Sequence, residues 1–262
     1  MSGSGWSRSR FLGGTAAARR CELLRAFVDP SAHALALPVF VGCSRHTWGM
    51  RRRRTDQPLV EAARRAGVDD PRILEAMAAV PRERFVPPDD RKRATDDRPI
   101  SIGQGQTTSQ PSLIAAMLDA LELTDSDKVL EIGTGFGYQT ALLACLVAEV
   151  HSIERHEGLA LQAKRNLDVC GFDRVNVVAG DGTRGLPEHA PFDAMVIAAA
   201  AERVPDGLVE QLVEGGRLIA PVGASGMQAA ILYRAERGQL VAVRELMGVR
   251  FVPLVAGDEP PA

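Results

Sequence analysis

VLEIGTGFGYQTALLA, residues 129–144, decides how this chain is read. The spacing predicts a buried strand, Lys128–Ile132, that passes through Gly133, Gly135 and Gly137 into a helix over Gln139–Leu146. Glycines at such a junction allow backbone geometry and close approach that a Cβ would forbid, so a ligand can lie against the main chain. Downstream, strands are predicted at Glu149–Ile153, Val175–Ala179, Phe192–Ala198, Gly216–Pro221, Ala229–Arg234 and Leu240–Leu246. Helices are predicted at Glu157–Cys170 and Leu208–Val213. Alternation of this kind gives a doubly wound α/β fold: a mostly parallel sheet covered on both faces, with an antiparallel C-terminal edge.

Upstream, two helices are expected at Leu59–Ala66 and Pro71–Ala79, the second entered through the acidic and proline signal Asp69-Asp70-Pro71. Four prolines between Pro81 and Pro99 rule out a continuous helix there and mark a structured connection. A Gly-, Thr- and Ser-rich loop then runs into a helix from Pro111 to about Leu121, a polar pocket at a helix N-terminus. Residues 1–49 lack an amphipathic period and read as a poorly ordered extension; the pattern becomes regular at Met50, which is a candidate translation start for a domain over 50–262.

A chain of 262 residues, 45% hydrophobic and 24% charged, can bury one sizeable core. A net charge of −2 gives no global field toward nucleic acid or membrane, and the run Arg51–Arg54 is read as a solvated face. No apolar run reaches the roughly 18 residues that span a bilayer. Cys21, Cys43, Cys145 and Cys170 show no CxxC spacing and read as free thiols in a reducing cytoplasm. His33, His46 and His189 have no metal-ligand spacing, so no metal is expected.

The strand-end acids Glu131 and Glu154 bracket the glycines, the second about 20 residues on, where it can bind both ribose hydroxyls of an adenosine cofactor. A dinucleotide needs G-x-G-x-x-G with pyrophosphate over the helix, whereas this loop is G-T-G-F-G with an acid before it. The E-x-G-x-G-x-G pattern resembles the methyltransferase motif that receives the methionine end of S-adenosylmethionine. Asp181-Gly182 falls where such enzymes place an acid and an amide against adenine. The cofactor contacts expected are Glu131, Gly133, Thr134, Gly135, Gly137, Glu154, Arg155, Asp181 and Gly182.

VPRERFVP (80–87), DRPISIGQGQTTSQP (97–111), FDAMVIAAAAERVP (192–205), LVEGGRLIAPVG (212–223) and VRFVPL (249–254) extend the likeness beyond the cofactor loop. Together they make the chain similar to protein-L-isoaspartate O-methyltransferases from about Met50 to Leu254. The resemblance implies a Rossmann-like methyltransferase fold with N-terminal helices, S-adenosylmethionine as methyl donor, and isoaspartyl residues of damaged proteins and peptides as substrate. It implies that Ser109 is the active-site serine, with Thr107, Thr108, Ala198 and Val252 lining the substrate side. It departs from the family at Thr108, Ser112 and Ala198, which puts peptide preference in doubt.

An isoaspartyl carboxylate is already ionised near neutrality, so no general base is required. The substrate block offers none: His151 and His156 lie on the second strand and after it, away from the Thr107–Ser109 loop. Catalysis then rests on orientation and desolvation, and the methyl ester closes to a succinimide without further enzymatic work. A monomer with no nucleic-acid or membrane partner is expected. Three other readings stand beside this one: a methyltransferase for a dedicated aspartyl peptide, an inactive partner-binding module, and a nicotinamide dehydrogenase, which the loop spacing disfavours.

Overall fold

The computed structural model describes residues 57–224 and 226–257. The expected N-terminal extension, the Met50 start and the Arg51–Arg54 run lie outside the described residues. Two helices open the fold, α1 (Gln57–Arg65) and α2 (Pro71–Ala79). The Asp70 carboxylate caps α2 by accepting from the Arg72 amide at 2.7 Å, with Pro71 supplying the preset first turn. The proline-rich connection winds as two short 3-10 turns, Arg82–Phe85 and Pro88–Arg93.

The segment expected as a loop before the third helix is a hairpin, β1 (Ile100–Gly103) and β2 (Gln106–Thr108), followed by α3 (Pro111–Ala120). Gly103, Gln104 and Gly105 all take positive φ, which folds the chain back within three residues and lets the flanking segments pair.

The main sheet comprises β3 (Lys128–Ile132), β4 (Glu149–Glu154), β5 (Asn176–Ala179), β6 (Phe192–Ile197), β7 (Leu212–Val222), β8 (Gln228–Glu236) and β9 (Gln239–Val249). Its order is β5-β4-β3-β6-β7-β8-β9; the first five are parallel and the last two antiparallel. Helices α4 (Tyr138–Leu146), α5 (Glu157–Val169) and the single turn α6 (Asp206–Val209) complete the chain. The helix expected over Leu208–Val213 is thus cut short. Leu212 already pairs with Phe192, and an irregularity at Gly215 and Gly216 brings Arg217 opposite Ala194.

Alternate residues of β3 enter different cores. Val129 joins Leu59, Met77, Leu118 and Leu142 under α1–α4, while Leu130 and Ile132 join Met195, Leu208 and Leu218 on the other face. Period-2 alternation with both faces apolar is what a covered parallel sheet requires. Long helices cover one face, whereas the second carries α6 and loop residues such as Leu186 and Val204. Among the described residues no helix is long and apolar enough to cross a membrane.

Candidate active site

Parallel register brings the carboxyl ends of β3, β4, β5 and β6 to one edge: Ile132 lies beside Ile153 and Ile197, and Glu154 beside Ala179. The chain runs from β3 toward β5, then returns to place β6 on the other side of β3. Such a reversal opens the crevice where open α/β sheets bind ligands. Gly133 and Ala198 face each other across it. A Cβ added to Gly133 would stand 3.3 Å from that of Ala198, and the Ala198 amide donates to the Ile132 carbonyl at 2.7 Å. Gly133 and Gly135 have φ of 97° and 56°, in the left-handed region where glycine carries no penalty. Gly137 is left-handed too, with φ of 93°, and also serves packing: its missing Cβ would meet Leu167 at 3.3 Å, so α4 can approach α5.

The acids separate into two kinds. Glu131 is fully buried behind the loop. One carboxylate oxygen accepts from Gln139 Nε2 at 2.9 Å, and the other from Thr140 Oγ1 and Ser152 Oγ at 2.5 and 2.6 Å. Burial pushes its pKa up to about 7, against the lowering pull of those three donors. The Thr134 hydroxyl joins the same network through Ser152 at 2.6 Å. Both residues are among the expected cofactor contacts; in the structure three donors hold the Glu131 carboxylate, and the Thr134 hydroxyl is joined to it through Ser152.

Glu154 is different. Its two oxygens accept from the Gly135 and His156 amides at 2.8 and 3.0 Å, so each keeps a lone pair for a further donor. Asp181 accepts from the Thr183 amide and hydroxyl on one oxygen and from the Gly257 amide on the other, at 2.7 Å. Burial alone would raise this carboxyl, but the Thr183 and Gly257 bonds outweigh it and hold its pKa below the ordinary 3.8. The Gly257 carbonyl also accepts from Arg155 Nε at 3.4 Å, so the C-terminal segment bridges Arg155 and Asp181. Beside Asp181, a Cβ on Gly182 would stand 2.5 Å from Ile132 Cγ2, so a larger residue there would force Ile132 to shift.

The β1–β2 hairpin lies over the glycine loop. Ile102 Cδ1 is 3.1 Å from the place a Gly135 Cβ would take, and Gln106 Nε2 is 3.4 Å from His156 Nε2. His156 is therefore next to the substrate block, not away from it as its sequence position suggested; the hairpin reaches across to the end of β4. Thr107 is exposed, Thr108 buried and Ser109 half-buried, and the Ser109 hydroxyl has no hydrogen-bond partner among the described residues. Ser112, one of the departures from the family pattern, is committed elsewhere: its amide and hydroxyl donate to Asp97 at 2.9 and 2.8 Å. On the far side, the Ala200 amide donates to the Val252 carbonyl and the Leu254 amide to the Ala200 carbonyl, both at 2.7 Å. Val252 is thereby tied beside the end of β6 by main-chain bonds, while Phe251 packs on the core.

A sequence profile of the family described as Protein-L-isoaspartate(D-aspartate) O-methyltransferase (PCMT) matches residues 54–259. The chain belongs to this family. A protein-L-isoaspartate O-methyltransferase of Roseiflexus castenholzii is 48% identical over 200 residues, 76% of this chain and 91% of its own length. A solved protein-L-isoaspartate O-methyltransferase superposes with a TM-score of 0.68 at 32% identity, covering 76% of this chain and 65% of that one. A Plasmodium falciparum structure assigned to the same family, in complex with S-adenosyl-L-homocysteine, gives 0.68 at 23% identity over 76% and 98% of the two chains and supports the fold.

For a protein-L-isoaspartate O-methyltransferase the cofactor is S-adenosylmethionine. The residues present fit it. Glycines leave main chain exposed at the crevice, and Glu154 keeps acceptor capacity for a ribose diol. Asp181 is ionised at the third strand end. Sequence reading missed several members of the site. Gln139, Thr140 and Ser152 fix Glu131, and their apolar surroundings gave no signal. Gly257 lies beyond the last predicted strand, and Arg82 in a segment expected as a connection.

Proposed function

We propose that this chain transfers the methyl of S-adenosylmethionine to the α-carboxylate of L-isoaspartyl residues in damaged proteins, with Ser109 as the residue that orients the carboxylate. The observation that carries the reading is that the hairpin leading into Ser109 lies over the cofactor crevice, with Ile102 against Gly135 of the glycine loop and Gln106 beside His156 at the end of β4. When bound, S-adenosylmethionine supplies an electrophilic methyl on a sulfonium. The protein's own part is to hold and dry the site. Glu154 would accept from the ribose hydroxyls, Asp181 and the Gly182 amide would hold the adenine, and the Gly133–Gly135 main chain would receive the methionine end. Glu131 keeps that loop in place.

On the substrate side the Ser109 hydroxyl donates to one carboxylate oxygen and leaves the other free to attack. Thr107, Thr108 and Ala198 line the approach, and the main chain at Val252 borders the peptide. No side chain has to take up a proton, because a main-chain α-carboxylate with a pKa of about 3.5 is ionised throughout the physiological range. The ester carries a better leaving group than the carboxylate, so the neighbouring peptide nitrogen attacks its carbonyl and expels methanol, and water opens the resulting succinimide partly to aspartate.

In this reading residues 50–262 form the working domain and act as a monomer in the cytoplasm, without nucleic-acid or membrane partners. Free thiols at Cys145 and Cys170 support a reducing compartment. The test is transfer of labelled methyl to two peptides that differ only in isoaspartate or aspartate at one position. Base-labile label on the isoaspartyl peptide alone is the expected outcome. Label on neither, with S-adenosylmethionine still bound, would replace this substrate with a dedicated one and turn attention to Thr108 and Ala198.

A further inference from the structure

Arg82 is fully buried, yet it carries a guanidinium. Its Nη1 donates to the carbonyls of Ala94 and Asp96 at 3.2 and 2.8 Å, and its Nη2 to those of Arg98 and Ser109 at 2.9 and 3.3 Å. Arg98 precedes β1 by two residues, and Ser109 directly follows β2. One nitrogen therefore holds both feet of the hairpin that lies over the glycine loop. The guanidinium carbon also stands 5.8 Å from the ring centroid of Tyr138, the buried residue that opens α4 straight after the glycines. Phe85, from the same 3-10 turn as Arg82, approaches that ring at 6.0 Å between centroids.

Burying a guanidinium is costly unless its donors are satisfied, and an apolar side chain would fill the same volume without that cost. The planar fork offers what no apolar residue can, several donors in one rigid plane, here aimed at four main-chain oxygens. Those oxygens span residues 94–109, a stretch whose only regular structure is the short hairpin. We infer that Arg82 is a positioning residue for methyl transfer: it clamps the two feet of the β1–β2 hairpin together and against Tyr138, and so sets Ser109 in register with the cofactor loop. The clamp rests on the assignment of Ser109 given above, and acts on the substrate side without touching substrate or cofactor.

The test uses the full chain with Arg82→Lys, which keeps the charge and loses the fork, assayed well below its melting temperature. Amide exchange in residues 94–109 is expected to speed by about tenfold or more while β3 and β4 stay protected. Turnover on an isoaspartyl peptide is expected to fall by about tenfold, with the S-adenosylmethionine dissociation constant within roughly twofold of wild type. In a Ser109→Ala background the same substitution is expected to cost less than about threefold more, because the two act through one group. Arg82→Gln, with two donors and no charge, is the second variant if the lysine protein does not fold. Unchanged exchange in the hairpin, or faster exchange with turnover intact, overturns the clamp. Fully multiplicative losses in the double variant do the same, since they mark a stability effect. If Ser109→Ala alone leaves turnover unchanged, the serine assignment fails instead. The clamp then stands or falls on exchange and turnover in the single Arg82 variant.

Discussion

Replacing Glu131 by Gln tests whether the buried carboxylate beneath the cofactor loop is an electrostatic cost that the fold carries. The amide is close to isosteric and can be accommodated: if Gln139 turns its own amide over, the new NH2 donates to it, and the remaining carbonyl oxygen still receives Thr140 and Ser152. Burial raises the Glu131 pKa from 4.5 to about 7 in the folded protein. The folded state then holds a proton that the unfolded state releases, so this group's contribution to stability is complete below pH 4.5 and is lost as pH rises through about 7. A displacement of that size corresponds to roughly 3 kcal/mol by pH 8. The variant has no such group, so its unfolding free energy relative to wild type should climb by about 3 kcal/mol between pH 5 and 8, whatever constant offset the amide introduces. Urea unfolding of both proteins at half-unit pH steps measures it, and the difference cancels every other titrating group. Two curves that stay parallel to within about 0.5 kcal/mol would refute the argument and mean that the three donors fully compensate burial.

Ser109→Ala should lower kcat/KM on an isoaspartyl peptide by about ten- to a hundredfold, the worth of one hydrogen bond to a charged group, while S-adenosylmethionine affinity measured by calorimetry is retained. Gly182→Ala forces a Cβ to within 2.5 Å of Ile132 Cγ2, so a loss of about 1–3 kcal/mol is expected in thermal unfolding, together with weaker cofactor binding. His151 is buried, donates to Glu149 and receives Asn176, and burial first, then neighbouring His189, lowers its pKa below 6.5. Stability from this group is complete above pH 6.5 and falls as pH drops below it, and His151→Gln should flatten that slope in denaturant melts between pH 5 and 7.

The parts of this fold that could be read in advance are those whose signal is local. Glycine spacing at 133, 135 and 137, the strand-end acids and the Asp70–Pro71 entry to α2 each follow from neighbours in sequence, and each is where it was expected. Readings that depended on distant partners went astray. The hairpin at 100–108 was read as a loop because Gly and Thr dominate it; positive φ at its tip is what turns it into paired strands. The helix expected over 208–213 yields after one turn because Leu212 gains a strand partner in Phe192. The sequence position of Glu131 carried no sign that Gln139, Thr140 and Ser152, from two other elements, would donate to it. His156 came into the site only because β1–β2 reaches over the end of β4.

What joins these misreadings is the kind of chemistry the site supports. A reaction whose nucleophile is already ionised needs no tuned base, so no pair of titratable groups advertises it in the sequence. Two opposite charges are consumed as the methyl moves, which favours a dry and tightly held site over a strongly charged one. Accuracy of placement then falls to main-chain ties: Asp97 on the start of α3, Arg82 on the feet of the hairpin, Glu154 on the Gly135 amide, and Ala200 on Val252 and Leu254. Each tie connects segments far apart in sequence, and most end on a backbone atom, which every residue possesses. An active site built this way is legible as a family pattern before it is legible as chemistry, because the residues that matter most are chosen for where they hold the chain.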